Sequence, residues 1–116
     1  MSNDSVIKKK SMGFAKRIVG LYQYLCREQR EFVMSKQVLR SGTSIGANVA
    51  EAIYGSSRKD FAAKLQIARK ESAETLYWLE LLHECSYLPD KLYQSLYADC
   101  KELMALLTAT IKTCED

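Results

Sequence analysis

Apolar residues recur every three or four positions through most of the chain, which is the spacing of amphipathic α-helices. The first predicted helix starts at Ser11, a residue type favoured at the N-cap. Residues 1–10 are polar and end in three lysines, so we expect a flexible basic arm there. No glycine or proline marks the end of this helix, which we place between residues 27 and 31. Its apolar positions are Phe14, Ile18, Leu21 and Leu25.

The second predicted helix ends at Gly55 and has two sides of different character. A glycine inside a helix costs about 1 kcal/mol relative to alanine, so Gly42 and Gly46 indicate close approach of another backbone. We expect the apolar side to face the core, the polar side to face a partner, and Gly55 to adopt the left-handed conformation that ends a helix. The apolar side comprises Val38, Gly42, Ile45, Gly46, Val49, Ala50 and Ile53, and the polar side comprises Gln37, Arg40, Ser41, Ser44, Asn48 and Glu51.

The third and fourth predicted helices follow from start signals and from their spacing. Ser57 and Asp60 match the capping pattern of a helix start, and Pro89 suits the first position of the last helix. Four amphipathic helices with short connections predict an all-α fold, an antiparallel up-down four-helix bundle that forms a single domain over residues 11–116. The positions at helical spacing are Phe61, Leu65, Ala68, Ser72, Leu76, Leu79 and His83, then Leu92, Leu96, Cys100, Leu103, Leu107 and Ile111.

The composition fits one helical domain. The chain has 116 residues, of which 47% are hydrophobic and 27% charged, enough for one core without a metal or a disulfide. Its four cysteines form no Cys-x-x-Cys pair, so we expect reduced thiols. Because no apolar run is long enough to span a bilayer and no secretory signal is evident, we expect a cytoplasmic location without membrane contact.

Motifs for catalysis or metal binding are incomplete. Glu80 and His83 match the Glu-x-x-His element of di-iron bundles, but such a site needs two of these elements and His83 is the only histidine. Cys100 lies among the apolar positions of the fourth helix, where a small core residue is expected. Neither a Gly-x-Ser-x-Gly elbow nor a P-loop is present. The sequence therefore predicts no enzyme activity, no cofactor and no metal.

Charge is distributed unevenly along the chain. Residues 1–41 hold nine basic and three acidic residues, whereas residues 42–116 hold eight basic and eleven acidic ones. Such a basic segment permits binding of nucleic acid or of an acidic protein, although similar clusters also occur on solvated surfaces. In the third helix the basic residues precede the acidic ones, so this helix can complement a copy of itself in a second subunit. The candidate nucleic-acid-binding residues are Lys8, Lys9, Lys10, Lys16, Arg17, Arg58 and Lys59.

One segment resembles a known family. Residues 39–52 read Leu-Arg-Ser-Gly-Thr-Ser-Ile-Gly-Ala-Asn-Val-Ala-Glu-Ala, and Lys70-Glu71, Glu74-Thr75 and residues 77–82 complete the pattern. The pattern resembles the four-helix-bundle proteins encoded in intervening sequences of bacterial 23S rRNA genes, over nearly the whole chain. The resemblance implies a ring-shaped homopentamer and no catalytic residue. It extends to the accessory variability proteins of diversity-generating retroelements, which are basic pentamers that bind nucleic acid and a reverse transcriptase. The ribosomal-protein label sometimes given to the family reflects where its genes lie.

The sequence thus favours a non-enzymatic, cytoplasmic homo-oligomer whose basic residues, repeated by symmetry, form a surface for structured RNA or DNA. We expect subunits to meet through the polar side of the second helix, with Arg40 and Glu51 paired between chains. An open alternative is that this side faces solvent. A second function left open is a protein-binding scaffold or accessory subunit for a nucleic-acid enzyme such as a reverse transcriptase. The predicted interface residues are Gln37, Arg40, Ser44, Asn48, Glu51 and Trp78.

Overall fold

Four helices account for nearly all of the chain in the computed structural model, which describes residues 2–115 and the side chains of residues 4–114. They are α1 (Ser2–Arg27), α2 (Met34–Ile53), α3 (Arg58–Glu84) and α4 (Asp90–Glu115), and no strand occurs in the described range. α2 packs between α1 and α3, α4 packs on α3, and a sparser contact joins α4 to α1. The all-α class and the four predicted helices are confirmed.

Contacts between α1 and α2 run in opposite sequence directions along the two helices. Ile18 of α1 lies beside Gly42 of α2, whereas the earlier residue Ser11 lies beside the later residue Gly46. One apolar cluster, to which all four helices contribute, fills the space between them. None of the helices, over the range that is described, is both long and apolar enough to cross a membrane.

α1 begins at Ser2, well before the predicted N-cap at Ser11. Ile7 and Ser11 are only 1% and 2% exposed, so both pack inside the bundle. The Ser11 hydroxyl donates to the carbonyl three residues earlier (3.2 Å), within the helix rather than at its start. The prediction of a flexible arm over residues 1–10 is therefore wrong from Ser2 onward, because Ile7 extends the buried stripe of α1 toward the N-terminus. Met1 lies outside the described residues.

The side chain of Glu31 closes the connection between α1 and α2. One carboxylate oxygen accepts from the backbone N–H of Ser35 (2.7 Å), and the other accepts from those of Val33 (3.1 Å) and Met34 (3.0 Å). The first turn of a helix leaves such donors without helical partners, and its positive partial charge favours an anion. A buried carboxylate therefore fixes the start of α2, while Arg30 before it turns the chain with a φ of 55°.

The connection between α2 and α3 differs in part from the prediction. Gly55 does not adopt a left-handed φ; its N–H donates to the carbonyl of Ala52 (3.1 Å). A Cβ on Gly55 would lie 3.1 Å from that oxygen, so glycine fits here because the backbone approaches closely. Ser57 does cap α3, as the sequence predicts, since its Oγ accepts from the N–H of Asp60 (3.0 Å).

A left-handed residue follows α1 at Arg30 and α3 at Ser86, where φ is 66°. There the N–H of Tyr87 reaches the carbonyl of Leu82 (2.9 Å), a bond typical of a Schellman cap. α4 begins at Asp90, so Pro89 is its N-cap residue and lies one position before the predicted place. Boundary shifts of this size are common at helix ends.

Gly42 and Gly46 both lie against α1, but the close approach of another backbone that the sequence predicts is found only at Gly46, whereas Gly42 makes room for the side chain of Ile18. A Cβ on Gly42 would lie 2.8 Å from Cγ1 of Ile18, and one on Gly46 would lie 3.4 Å from the carbonyl oxygen of Ser11.

The buried side of α2 is shifted from the predicted apolar side, because α2 packs against α3 as well as α1. Ser35, Ser41 and Ala52 are buried, whereas Ala50, which the sequence places on the apolar side, is exposed. The buried side comprises Ser35, Val38, Ser41, Gly42, Ile45, Val49 and Ala52.

Alanine substitutions at two helical glycines should have opposite effects on stability. Gly42→Ala should lower the free energy of unfolding by about 1–2 kcal/mol, because overpacking against the stiff Ile18 outweighs a helix-propensity gain of about 1 kcal/mol. Gly20→Ala should raise it by about 1 kcal/mol. A Cβ on Gly20 meets no described atom within 4 Å. Urea denaturation checks the pair, and equal losses would show that close packing is not the reason for Gly42.

Candidate nucleic-acid interface

Arg40, at the centre of the predicted subunit interface, is bonded within its own chain. Nη1 donates to Glu71 (3.1 Å) and Nη2 donates to Glu74, both on α3. Trp78, another predicted interface residue, donates its indole N–H to Glu74 (2.9 Å). Hydrogen bonds from Arg40 and then Trp78 lower the pKa of Glu74, and the bond to Glu74 raises the pKa of Arg40. Both groups therefore stay ionised over a wide pH range.

The polar side of α2 thus faces α3 over much of its length. Ser41 is fully buried there, and its hydroxyl oxygen accepts from Oγ1 of Thr75 (2.9 Å). Farther along α2, Glu51 forms an ion pair with Lys64 of α3 (2.9 Å). Arg40 and Glu51, which the sequence pairs between chains, each have an opposite charge within the chain.

Two further predicted interface residues bond to each other on α2. Asn48 Nδ2 donates to the carbonyl oxygen of Ser44 (2.9 Å) and to its hydroxyl (3.2 Å), and Gln37 is exposed on the same helix. The Asn48 side-chain NH2 therefore has partners within its own helix and needs no second chain as an acceptor. Because the Arg40 side chain remains 50% exposed, contact with a second subunit stays a prediction.

Three lysines lie on the outward side of α1 and form what we call the α1 basic face: Lys8, Lys9 and Lys16. All three are exposed, and none makes an ion pair with a carboxylate among the described side chains. They border a shallow depression of about 470 Å³, to which Met12 and Gly13 also contribute. This face has a local excess of positive charge, because no carboxylate of the described side chains pairs with its lysines.

Two other predicted basic residues, Lys10 and Arg17, lie at the contact between α1 and α4. Lys10 pairs with Glu102 (3.0 Å) and Arg17 pairs with Asp99 (2.7 Å). Exposed pairs of this kind contribute about 0–1 kcal/mol, so both cations can change partner. Their charge is nonetheless partly neutralised, which makes them weaker candidates than the α1 basic face.

The last two predicted basic residues are at the start of α3. Arg58 donates to the carbonyl of Thr113 (3.1 Å) and so ties the start of α3 to the end of α4. Lys59 is exposed beside it. The structure therefore separates the seven candidates into a basic face on α1, two paired cations and a second small group on α3.

The predicted Glu-x-x-His element joins α3 to α4. Nε2 of His83 lies 2.7 Å from Oδ1 of Asp90, and its ring stacks on Tyr93 with centroids 4.1 Å apart. Among the described residues, no group of three metal-binding side chains converges. These contacts give His83 a role in packing the end of α3 against the start of α4.

Cys100 has the environment of a core residue. It is buried as predicted, and its Sγ donates to the carbonyl of Ser72 (3.5 Å). Desolvation, with a smaller contribution from Asp99, raises the pKa of this thiol to about 12. A thiol that stays protonated at neutral pH is a poor nucleophile.

Cysteine labelling should distinguish Cys100 from the exposed Cys85. In native protein near neutral pH, iodoacetamide should modify Cys85 quickly and Cys100 only after unfolding. The raised pKa of Cys100 implies stability that is present below pH 9 and lost as the pH rises toward 12. Timed labelling followed by peptide mass spectrometry checks the rates. Equal rates at the two thiols would contradict burial of Cys100.

A protein-family model matches most of this chain. The family model named 23S rRNA-intervening sequence protein matches residues 3–109. The chain is also 55% identical to a protein with unknown function from the S23 ribosomal protein family of Bacteroides thetaiotaomicron VPI-5482, whose crystal structure was determined at 1.70 Å resolution. That match covers 95% of this chain and 98% of the other, with a TM-score of 0.93. No curated protein matches the chain.

Proposed function

The chain belongs to the 23S rRNA-intervening sequence protein family, and from that premise we propose that it is a non-enzymatic homo-oligomer that binds structured RNA through the α1 basic face. The family name links these proteins to 23S rRNA, and the similar Bacteroides protein bears the S23 ribosomal protein family name. Both names reflect where the genes of the family lie, so they indicate which RNA to test first and are not themselves evidence of binding. The incomplete sets of catalytic residues favour a binding role over an enzyme.

The proposed assembly is a ring-shaped homopentamer of antiparallel up-down bundles. Opposite contact directions of α1 with α2, and of α2 with α3, support the up-down order. The polar side of α2 and Trp78 are the proposed contact surface. Because exposed ion pairs contribute only about 0–1 kcal/mol, Arg40 and Glu51 can exchange their partners on α3 for partners in a neighbouring subunit at little cost.

The observation that carries RNA binding is the unneutralised charge of the α1 basic face. Its lysines extend over about 12 Å of helix, long enough to contact successive phosphates of one strand. Gly13 leaves the middle of the face without a side chain, and a Cβ there would meet no described atom within 4 Å. A sugar-phosphate backbone can therefore approach the helix closely.

Repetition of the α1 basic face in an oligomer raises the affinity for RNA above that of a single subunit. Binding by one subunit places the other copies near the same RNA, so the later contacts form at high effective concentration. Lysine contacts to phosphate position a nucleic acid without reading its sequence. We therefore expect preference for structured RNA of sufficient length, with weak dependence on sequence.

Fluorescence anisotropy with a labelled hairpin from 23S rRNA tests RNA binding. Three phosphate contacts in one subunit predict an affinity loss of about 40-fold between about 50 and 200 mM salt, from a slope of about 0.9 per contact. Avidity in an oligomer should steepen this dependence. A single strand of the same composition controls for RNA structure. Absence of binding at low salt, or binding that salt does not weaken, would contradict the proposed function.

A protein-binding scaffold is the alternative, and exposed apolar residues in the connection between α1 and α2 favour it. Phe32 and Val33 are 49% and 73% exposed, and the guanidinium of Arg30 lies 5.8 Å from the centre of the Phe32 ring. Purification of the tagged protein from its native cell, with and without nuclease, separates the two functions. A protein partner that survives nuclease treatment supports the scaffold, whereas recovered RNA without protein supports RNA binding.

A further inference from the structure

α3 carries a second exposed surface, on a different helix from the α1 basic face. Its residues recur at spacings of three and four, and all of them are exposed. Ile67 and Tyr77 are 42% and 56% exposed, which is high for large apolar side chains in a small domain. Beside them an open groove of about 570 Å³ extends to Met104 of α4. This α3 outer face comprises Lys59, Ala63, Ile67, Lys70, Ala73, Tyr77, Glu80 and Glu84.

The order of side chains along the α3 outer face is self-complementary when read in reverse. Lys59 lies near the start, Ile67, Lys70 and Tyr77 lie in the middle, and Glu80 and Glu84 lie near the end. No ion pair within the described part of the chain involves Lys59, Glu80 or Glu84. An antiparallel copy centred near residue 72 brings Lys59 opposite Glu84 of the second copy, and Ile67 opposite its Tyr77.

We propose that the α3 outer faces of two copies of this chain pack antiparallel about a twofold axis. Ala63 and Ala73 allow the two helices to approach closely, and Tyr77 of each copy packs on Ile67 of the other. Tyr77 already makes an edge contact with Trp78 (centroids 5.1 Å apart), so it loses little conformational freedom on binding. This contact goes beyond the proposed ring, because it uses a different surface and requires no nucleic acid.

The charges at the two ends of the α3 outer face favour a second copy of this chain as the partner, and they favour its antiparallel orientation. A parallel copy would set Lys59 against Lys59 and Glu84 against Glu84, which is repulsive, whereas the antiparallel copy makes opposite-charge pairs at both ends. The two glutamates would repel phosphate, so a nucleic acid fits this surface poorly. A second copy supplies apolar side chains for Ile67 and Tyr77 and opposite charges at the ends, and it does so twice because the contact is isologous. In this register Lys70 falls opposite Ala73 of the second copy, a residue without charge.

Cysteine crosslinking tests the predicted register. In a Cys85→Ser background, two residues of the α3 outer face, Ala73 and Ala63, are each replaced by cysteine and treated with a short bis-maleimide. In the antiparallel pair the two copies of residue 73 are offset by about 4 Å along the axis, whereas the copies of residue 63 are offset by about 26 Å. Only Ala73→Cys should form a covalent dimer beyond the level of the Cys85→Ser parent. Equal crosslinking of both variants, or of neither, would overturn the antiparallel contact.

Charge exchange tests the same contact without added thiols. Lys59→Glu or Glu84→Lys alone should raise the dissociation constant about tenfold, because each places two like-charge pairs in a symmetric interface. The double variant restores opposite charges and should return to within about twofold of the original protein. A double variant as weak as either single variant would refute the register. Thermal unfolding of each variant verifies that the bundle stays folded.

Light scattering distinguishes this contact from the ring. Tyr77→Asp should halve the mass of the assembly, measured without nucleic acid, and leave any ring intact. If no ring exists, the original protein should be a dimer and the Tyr77→Asp variant a monomer. The α3 contact can therefore be tested whether or not the ring forms. A mass unchanged by Tyr77→Asp, or a different protein bound at this surface, would show that a second copy is not its occupant.

Discussion

Replacing Glu31 by alanine should lower the free energy of unfolding by about 2–3 kcal/mol, because a charged acceptor disappears from three backbone donors at once. Ser35 is fully buried, so water cannot readily replace the carboxylate at its N–H. The first turn of α2 also loses the negative charge that complements its dipole. Urea denaturation followed by circular dichroism measures the change.

The matched control is Glu28→Ala, in the same connection but exposed to solvent. Its effect should stay within about 0.5 kcal/mol, as for most surface substitutions. Glu31→Gln keeps one acceptor oxygen without the charge and should fall between the two. Similar losses for Glu28→Ala and Glu31→Ala would mean that the carboxylate contacts do not hold the start of α2.

Reversing the charge of the whole α1 basic face should abolish most of the proposed RNA binding. The variant Lys8→Glu, Lys9→Glu and Lys16→Glu replaces three attractions to phosphate by three repulsions, and we expect an affinity loss of at least about 100-fold at low salt. The salt slope should fall by about one for each lysine that contacts a phosphate. Fluorescence anisotropy with the 23S rRNA hairpin gives both quantities.

The matched control is the variant Lys91→Glu, Lys101→Glu and Lys112→Glu, which replaces three exposed lysines of α4. It changes the net charge by the same amount but leaves the α1 basic face intact. If binding depends on that face, the control should lose much less affinity than the α1 variant. Equal losses would indicate that only net charge matters and that α1 presents no specific surface.

The helices could be predicted because their periodic apolar positions are local features of the sequence. The structure confirms the cap at Ser57 and the close backbone approach at Gly46, since each depends on residues whose chemistry allows few alternatives. The start of α1 could not be predicted, because Ile7 is one apolar residue among polar neighbours and becomes buried only through tertiary packing. Glu31 was missed because it caps α2 from outside the usual N-cap position, where Val33 makes no side-chain bond.

The polar side of α2 shows why a surface is harder to predict than a helix. Periodicity indicates which side of a helix is polar, but it does not say whether that side meets another helix, a second chain or water. The partners of Arg40 on α3 are 31 and 34 residues away, beyond the reach of local pattern. The seven basic candidates could be predicted from the sequence, whereas only the structure shows the ion pairs that separate Lys10 and Arg17 from the α1 basic face.

Sedimentation velocity of a labelled 23S rRNA hairpin with the purified protein tests both parts of the proposed function in one measurement. At low salt the hairpin should sediment as a complex whose mass corresponds to one RNA and several subunits, and at high salt it should return to the rate of free RNA. A hairpin that sediments freely at low salt, or with a single subunit, would contradict RNA binding by a homo-oligomer.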